Sequence, residues 1–230
     1  MSDCWPDITP EQANRLAIYR DLILEWNRKF NLTALRDPAA IEGRLIAESL
    51  RLGPFLPKRP GMHAIDIGTG AGIPGIPLAI LRTDSEFTLV DATGKKVRFL
   101  ELVIDELGLS NVTAIHDRSE ELAHDPNHRE HYDLGLARAV TQLAALAELV
   151  LPFLHVGGQA LFPKGESLEE ELARAQSAIE VLGGTLKSAE LLAPASCCGV
   201  TRLVILDKIS QSLVRYPRRP GIPEHEPLGG

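Results

Sequence analysis

The chain reads as an α/β protein, a mainly parallel seven-stranded sheet with helices on both faces, preceded by a helical cap. Three observations predict this. From Met62 onward short β-favouring runs alternate with helical patterns, the arrangement that lays strands side by side in parallel and covers both faces. A glycine-rich stretch, Gly68 to Gly75, joins the first run, Ala64 to Ile67, to an apolar helical pattern that resumes at Ile76. A second run, Glu86 to Asp91, also ends in an acid, at roughly the spacing where such folds place a ribose-binding carboxylate. Residues 1–60 form the cap, 61–209 the sheet domain and 210–230 a basic, Pro-rich arm.

Each element has a local cause. Thr9-Pro10-Glu11-Gln12 opens the first helix with an N-cap, a proline at the first helical position and a capping box. Leu16, Tyr19, Leu22, Ile23, Trp26 and Phe30 follow at helical spacing, so one face is buried. Trp26 is expected to anchor the following turn, with Asn27, Asn31 and Thr33 satisfying its amides. Asp37-Pro38 starts a second helix, Ala39 to Leu52, stopped by Gly53 and Pro54. After Asp91 the pattern Val97, Leu100, Ile104, Leu107 marks a helix from Lys95 that Gly108 ends. Strands follow at Val112–Ile115, Tyr132–Ala137 and Gln159–Phe162, with a helix from Gln142 to Leu151 between the last two. A long amphipathic helix, Leu168 to Leu182, leads to a closing antiparallel pair near Leu186–Leu192 and Arg202–Leu206. Tyr216-Pro217-Arg218-Arg219-Pro220-Gly221 is too proline-rich for regular structure and is expected to extend as an arm.

Composition narrows the class. At 230 residues the chain can bury a full core, and 44% hydrophobic with 24% charged residues excludes a disordered chain. No apolar run approaches the length of a membrane span, and Met1-Ser2-Asp3-Cys4-Trp5 lacks the basic and apolar regions of a secretion signal. A cytoplasmic, monomeric protein with no membrane partner is expected. Cys4, Cys197 and Cys198 cannot build a disulfide framework and lack metal-ligand spacing, and none of the histidines shows helical metal spacing, so no metal is expected. A net charge of −7 argues against broad non-specific nucleic-acid binding and leaves that role to local basic patches.

The glycine loop admits two ligands. Gly70-Ala71-Gly72-Ile73-Pro74-Gly75 formally satisfies the dinucleotide fingerprint, which taken alone is weak. A pyrophosphate needs helix N-terminal amides and no anion nearby. S-adenosylmethionine has no phosphate and carries an ammonium and a sulfonium, so Asp66 at the strand end suits it. Asp91 serves either ligand. An NAD-binding oxidoreductase is therefore an alternative reading, as is a cofactor-sensing module without catalysis.

A family resemblance spans nearly the whole chain. It is carried by Trp26-Asn27 through Asn31-Leu32-Thr33, the loop Asp66-Ile67-Gly68-Thr69-Gly70-Ala71-Gly72-Ile73-Pro74-Gly75, and Leu89-Val90-Asp91 with Lys95-Lys96-Val97-Arg98-Phe99-Leu100. Arg138-Ala139-Val140, Lys164-Gly165, Arg202-Leu203-Val204 and Tyr216-Pro217-Arg218 continue it. The chain resembles the bacterial small-subunit rRNA guanine-N7 methyltransferases known as RsmG or GidB. The resemblance implies a Rossmann-like class I methyltransferase sheet, S-adenosyl-L-methionine as donor, and a guanine in the decoding-centre hairpin of 16S rRNA, free or in a small-subunit particle, as acceptor. It implies that Gly68, Ile73, Asp91, Ala92, Thr93, Ser119, Glu120 and Arg138 line the cofactor site; Asp66, Gly70 and Gly72 belong to the same loop. Ile73 departs from the Phe or Leu often found in the family and offers no ring to stack. A class I methyltransferase acting on another RNA or a small molecule is the nearer alternative.

Guanine N7 carries a lone pair at neutral pH, so transfer needs no prior deprotonation and catalysis reduces to positioning. The end of the fourth strand fits: Ala137-Arg138-Ala139-Val140 stands where amine methyltransferases of this fold have an Asn-Pro-Pro-aromatic motif. Arg138 is expected to pair with a cofactor or protein carboxylate rather than donate to guanine O6, because a cation beside N7 opposes the charge that transfer creates. Methyl transfer to N7 is expected to require no residue titrating near neutrality, and so to show a nearly flat rate across roughly pH 6.5 to 8.5. Candidate RNA contacts are Lys95, Lys96, Arg98, Lys164, Arg202, Lys208, Arg215, Arg218 and Arg219, the run from Lys208 to Arg219 holding no acid. Lys164→Ala, or removal of the tail after Ser212, is accordingly expected to weaken RNA contact and leave cofactor binding unchanged.

Overall fold

Thr9 Oγ1 accepts from Gln12 N (3.2 Å) and Gln12 Oε1 accepts from Thr9 N (2.9 Å), the reciprocal cap that starts α1 (Pro10–Asn27). The structure, a computed structural model, describes residues 8–165, 168–192 and 201–229; Met1 to Trp5, Cys197 and Cys198 lie outside them. Leu16, Tyr19 and Ile23 turn inward from α1, while Leu22, Trp26 and Phe30 are half-buried. Asn27 is the turn residue at the helix end, accepting from Leu32 N and Thr33 N and donating to Leu35 O. The second helix is not one regular rod. Asp37 caps α2 (Pro38–Ile41), a π-helical segment covers Glu42–Ala47, and α3 (Glu48–Leu50) completes it. Wide turns of this kind are enriched at functional sites and leave no signature in apolar spacing.

Seven strands follow: β1 (His63–Ile67), β2 (Glu86–Asp91), β3 (Val112–His116), β4 (Tyr132–Leu136), β5 (Leu154–Lys164), β6 (Gly184–Leu192) and β7 (Thr201–Lys208). They lie in the order β3-β2-β1-β4-β5-β7-β6, with β7 antiparallel to both neighbours and the pairs among β1 to β5 parallel. This is a Rossmann-like mixed sheet. The helices between the strands are α4 (Gly75–Leu81), α5 (Gly94–Leu107), α6 (Ser119–Leu122), α7 (Leu143–Val150) and α8 (Glu169–Val181). One apolar core packs α1, α4 and α5 against one face, and a second packs α7 and α8 against the other. Gly108, at φ +59°, ends α5.

Sequence order reverses between β1 and β4, where β1 passes to β2 on one side and β4 to β5 on the other. Ligands of open α/β sheets bind at the carboxyl ends of strands flanking such a point.

The tail differs from the expected arm. From Ile209 the chain folds back along the second core face and ends with α9 (Ile222–His225). Arg129 on the loop before β4 donates to the carbonyls of Ser212 and Tyr216 (2.9 Å each), and Tyr216 is buried. Proline content rules out a ladder strand but does not rule out packing, because carbonyls remain acceptors when the N–H is absent.

Candidate functional site

At the carboxyl end of β1 the chain must turn sharply. Gly68 holds φ +65°, and a Cβ there would stand 2.7 Å from Val140 Cγ2. Gly75 is needed for close approach: a Cβ would lie 2.3 Å from Leu89 Cδ2 and 2.9 Å from Asp66 Oδ2. Asp66 is buried beneath the loop and laces its ends together, accepting from Thr69 Oγ1 (2.6 Å) and Gly75 N (2.9 Å). Its second oxygen, Oδ1, is buried without a hydrogen-bond partner. Burial drives the carboxyl up to about 7, with Asp91 adding to the rise and Thr69, Gly75 and Arg138 opposing it.

A cleft opens beside the loop. Of the residues singled out from sequence, Gly68, Asp91, Ala92, Ser119 and Glu120 line it; Ile67, Val90, Asp117, Arg118, Val140, Leu149 and Glu224 complete the lining. Asp91 accepts from Gly70 N (3.0 Å), Thr93 N (2.8 Å) and Lys96 Nζ (3.2 Å), so Gly70 and Thr93 orient the carboxylate that faces the cleft. Glu120 Oε1 accepts from Arg118 Nη2 and from Gly221 N, both at 2.9 Å. Burial pushes the Glu120 carboxyl up, yet these donors together hold it below the ordinary carboxylate range. Gly72 and Ile73 belong to the buried underside of the loop, outside the cleft lining.

Arg138 also stands outside the lining. Its Nη2 donates to Glu48 Oε2 and to Arg44 O, both at 2.6 Å, while Nη1 is buried with no partner. It therefore ties the loop after β4 to the π-helical segment and α3. The residue after it, Ala139, takes φ +54°, a conformation that a non-glycine residue holds only when its surroundings fix it.

Several predicted RNA contacts are engaged inside the molecule. Lys164 pairs with Glu171 (2.6 Å) and donates to Thr141 O; Arg202 pairs with Glu169; Arg218 forks onto the buried Glu148, its Nη2 2.7 Å from Oε2. Lys208 is buried against Leu182 O and Ser212 Oγ. Lys95, Arg98, Arg215 and Arg219 are exposed, and Lys96 is half-buried on Asp91. Sequence reasoning missed Asp117, Arg118 and Glu224. The first two follow directly on β3, where the switch-point rule could have found them.

The donor set tests which cofactor fits. The cleft presents the carboxylates of Asp91, Asp117, Glu120 and Glu224 against one guanidinium, Arg118. A pyrophosphate would meet four anions there, whereas a ribose and a cationic tail find acceptors. Among the described residues no helix is long and apolar enough to cross a membrane, and no cluster of three or more His, Cys, Asp or Glu could hold a metal.

Comparisons with known proteins agree with this geometry. Residues 12–196 match the family model described as rRNA small subunit methyltransferase G, GidB. Proteins named ribosomal RNA small subunit methyltransferase G are similar to it in Clostridium botulinum (strain Okra / Type B1; 40% identical over 222 residues, 96% of this chain and 93% of the relative) and in Alkaliphilus metalliredigens (41% over 225 residues, 96% and 92%). Among solved structures, a SAM-dependent methyltransferase from Aquifex aeolicus superposes with a TM-score of 0.57 at 15% identity, covering 81% of this chain and 98% of that one. TYW2 of M. jannaschii, solved in complex with AdoMet, gives 0.55 at 19% identity, covering 75% and 78%. At such identities the likeness is one of fold.

Proposed function

Because the chain belongs to the rRNA small subunit methyltransferase G family, we propose that it transfers a methyl group from S-adenosyl-L-methionine to N7 of a guanine in the decoding-centre hairpin of 16S rRNA. The observation that carries the cofactor reading is the acid-lined cleft at the β1/β4 switch point. Asp91 is the acceptor for the ribose hydroxyls, held by Gly70 N, Thr93 N and Lys96. The buried, unpartnered Asp66 Oδ1 and Arg138 Nη1 are the polar atoms beside the loop with capacity left for an ammonium and a carboxylate. The bound cofactor supplies an electrophilic methyl carbon.

The protein's part is positioning. The N7 lone pair needs no base, and the β4 end supplies none: Ala137, Arg138, Ala139 and Val140 follow the strand, with Arg138 neutralised by Glu48. Arg138 thus keeps its charge from opposing the cation formed on the base.

The RNA face differs from the one expected. Exposed Lys95 and Arg98 on α5 meet exposed Arg28 and Lys29 at the end of α1. Lys95 Nζ lies 5.3 Å from the Phe30 ring centre and Lys29 Nζ 5.9 Å from that of Trp26. Cations interleaved with half-buried rings give phosphate contacts and stacking surfaces together. This face begins at Lys95, three residues beyond Ala92 of the cleft lining.

Two measurements test the proposal. Calorimetric titration should show S-adenosylhomocysteine binding without NADH binding; the reverse removes the methyltransferase reading. Mass-spectrometric mapping of 16S rRNA from cells lacking the protein should show one 7-methylguanine missing and restored by purified enzyme. An unchanged map refutes the substrate.

A further inference from the structure

The segment after β7 is bound into the molecule at every stage of its course. Lys208 Nζ and Ser212 Oγ both donate to Leu182 O, at 2.9 and 2.6 Å, under the end of α8. Arg129 takes the carbonyls of Ser212, Leu213 and Tyr216. The His124 ring stands 2.9 Å from Pro217 O. Arg218 then grips Glu148 with its backbone N–H (2.8 Å) as well as its fork, and Glu148 is fully buried on α7. These contacts lead to one place. Two residues beyond Arg219 the Gly221 N–H reaches Glu120 Oε1 at 2.9 Å, and three residues further Glu224 belongs to the lining of the cleft.

Glu148 makes the arrangement specific. It is the single acid in the apolar run Leu143 to Val150 and has no exposure to water. A buried carboxylate of this kind needs a dedicated cation, and Arg218 supplies it from seventy positions away in sequence. Arg218 is therefore spent internally while Arg215 and Arg219 stay exposed, and the chain beyond them reaches the cleft.

We infer that the strap from Ile209 to Gly229, through Gly221 and Glu224, forms one wall of the S-adenosylmethionine cleft and sets cofactor affinity. Gly221 fixes the Glu120 carboxylate by a backbone hydrogen bond that no side-chain change elsewhere can replace. Glu224, a second acid of the same lining as Asp91, adds an acceptor for hydroxyl or amino hydrogens of the ligand. The inference rests on the methyltransferase reading given above.

The test is calorimetric, on the full chain, on a chain ending at Pro220, and on Glu224→Ala, with S-adenosylhomocysteine as probe and melting temperature measured in parallel. The truncation keeps Arg218 and its grip on Glu148. It should weaken binding about tenfold or more, and Glu224→Ala by about threefold. The half-saturating RNA concentration at saturating cofactor should not move. If the full chain binds no S-adenosylhomocysteine, the methyltransferase reading itself fails. If the full chain binds and the folded truncation binds equally well, the strap is not a wall of the site. Should the truncation fail to fold, Glu224→Ala, a change at an exposed position, decides alone, and wild-type affinity there overturns the inference. A rise in half-saturating RNA with unchanged cofactor affinity would instead establish the tail as an RNA arm.

Discussion

Lys208 and Asp66 are the two buried ionisable residues whose burial moves them most clearly toward neutral pH. Burial lowers the Lys208 ammonium from 10.5 to about 8, with Arg129 contributing and Glu130 opposing. Below about pH 8 it is protonated folded and unfolded, so its burial penalty is present in full. Between about 8 and 10.5 the unfolded chain binds more protons, and stability rises with pH by on the order of 3 kcal/mol. Lys208→Met should flatten that rise in urea midpoints without lowering stability at pH 7, since Ser212 still satisfies Leu182 O. Asp66 has the opposite sign. Its folded value of about 7 exceeds the ordinary 3.8, so its contribution is most favourable below about pH 4 and is lost as pH rises through 7. Asp66→Asn should therefore gain on the wild type by a few kcal/mol between pH 4 and 8. A pH-independent difference between the two proteins would contradict this.

At the scale of elements, α1 acts on the glycine loop from beneath. Tyr19 is fully buried and its hydroxyl donates to Ala71 O at 2.6 Å. Tyr19→Phe leaves that carbonyl without its donor and should cost about 1–2 kcal/mol in urea unfolding. It should also weaken S-adenosylhomocysteine binding measured by calorimetry, because the loop loses its support. Unchanged affinity would restrict Tyr19 to stability. The caps at Thr9 and Asp37, the stop at Gly108 and the antiparallel closing pair were legible in sequence because each rests on residues close together in the chain. The π-helical segment from Glu42 to Ala47 was not, since its extra residue per turn alters no apolar spacing strongly enough to see. The four-residue helices α6 and α9 were too short to show a period.

Among the described residues, Lys164, Arg202 and Arg218 are held in pairs within the molecule, while Lys95 and Arg98 are exposed beside Lys29, which pairs with Glu25. Replacing Lys29, Lys95 and Arg98 together by Gln should raise the half-saturating RNA concentration and reduce the salt slope of binding by about 2, with cofactor affinity unchanged. Lys164→Ala should instead destabilise the fold, because Glu171 would keep only the Leu143 N–H and Thr141 O would lose its donor. Wild-type RNA kinetics in the triple variant would move the RNA face elsewhere. The sheet and the acid-tipped strands could be read from sequence because short β-favouring apolar runs and a glycine cluster are local signals. The destination of the tail could not, because it is fixed by a partner far away in the chain. A signal existed: Glu148, alone among Leu and Ala, demanded a cation, and no local residue could provide one.

The strap also bears on when the enzyme becomes complete. Tyr19 supports the glycine loop through Ala71 O, and Glu224, some two hundred residues on, lines the cleft beside that loop. A nascent chain in which the segment through Glu224 has not yet docked can have its sheet assembled while the pocket lacks a side. Methyl-donor binding then reports that the segment through Glu224 has docked, and a bulky insertion directly after Glu224 would be felt as lost cofactor affinity rather than as a lost fold.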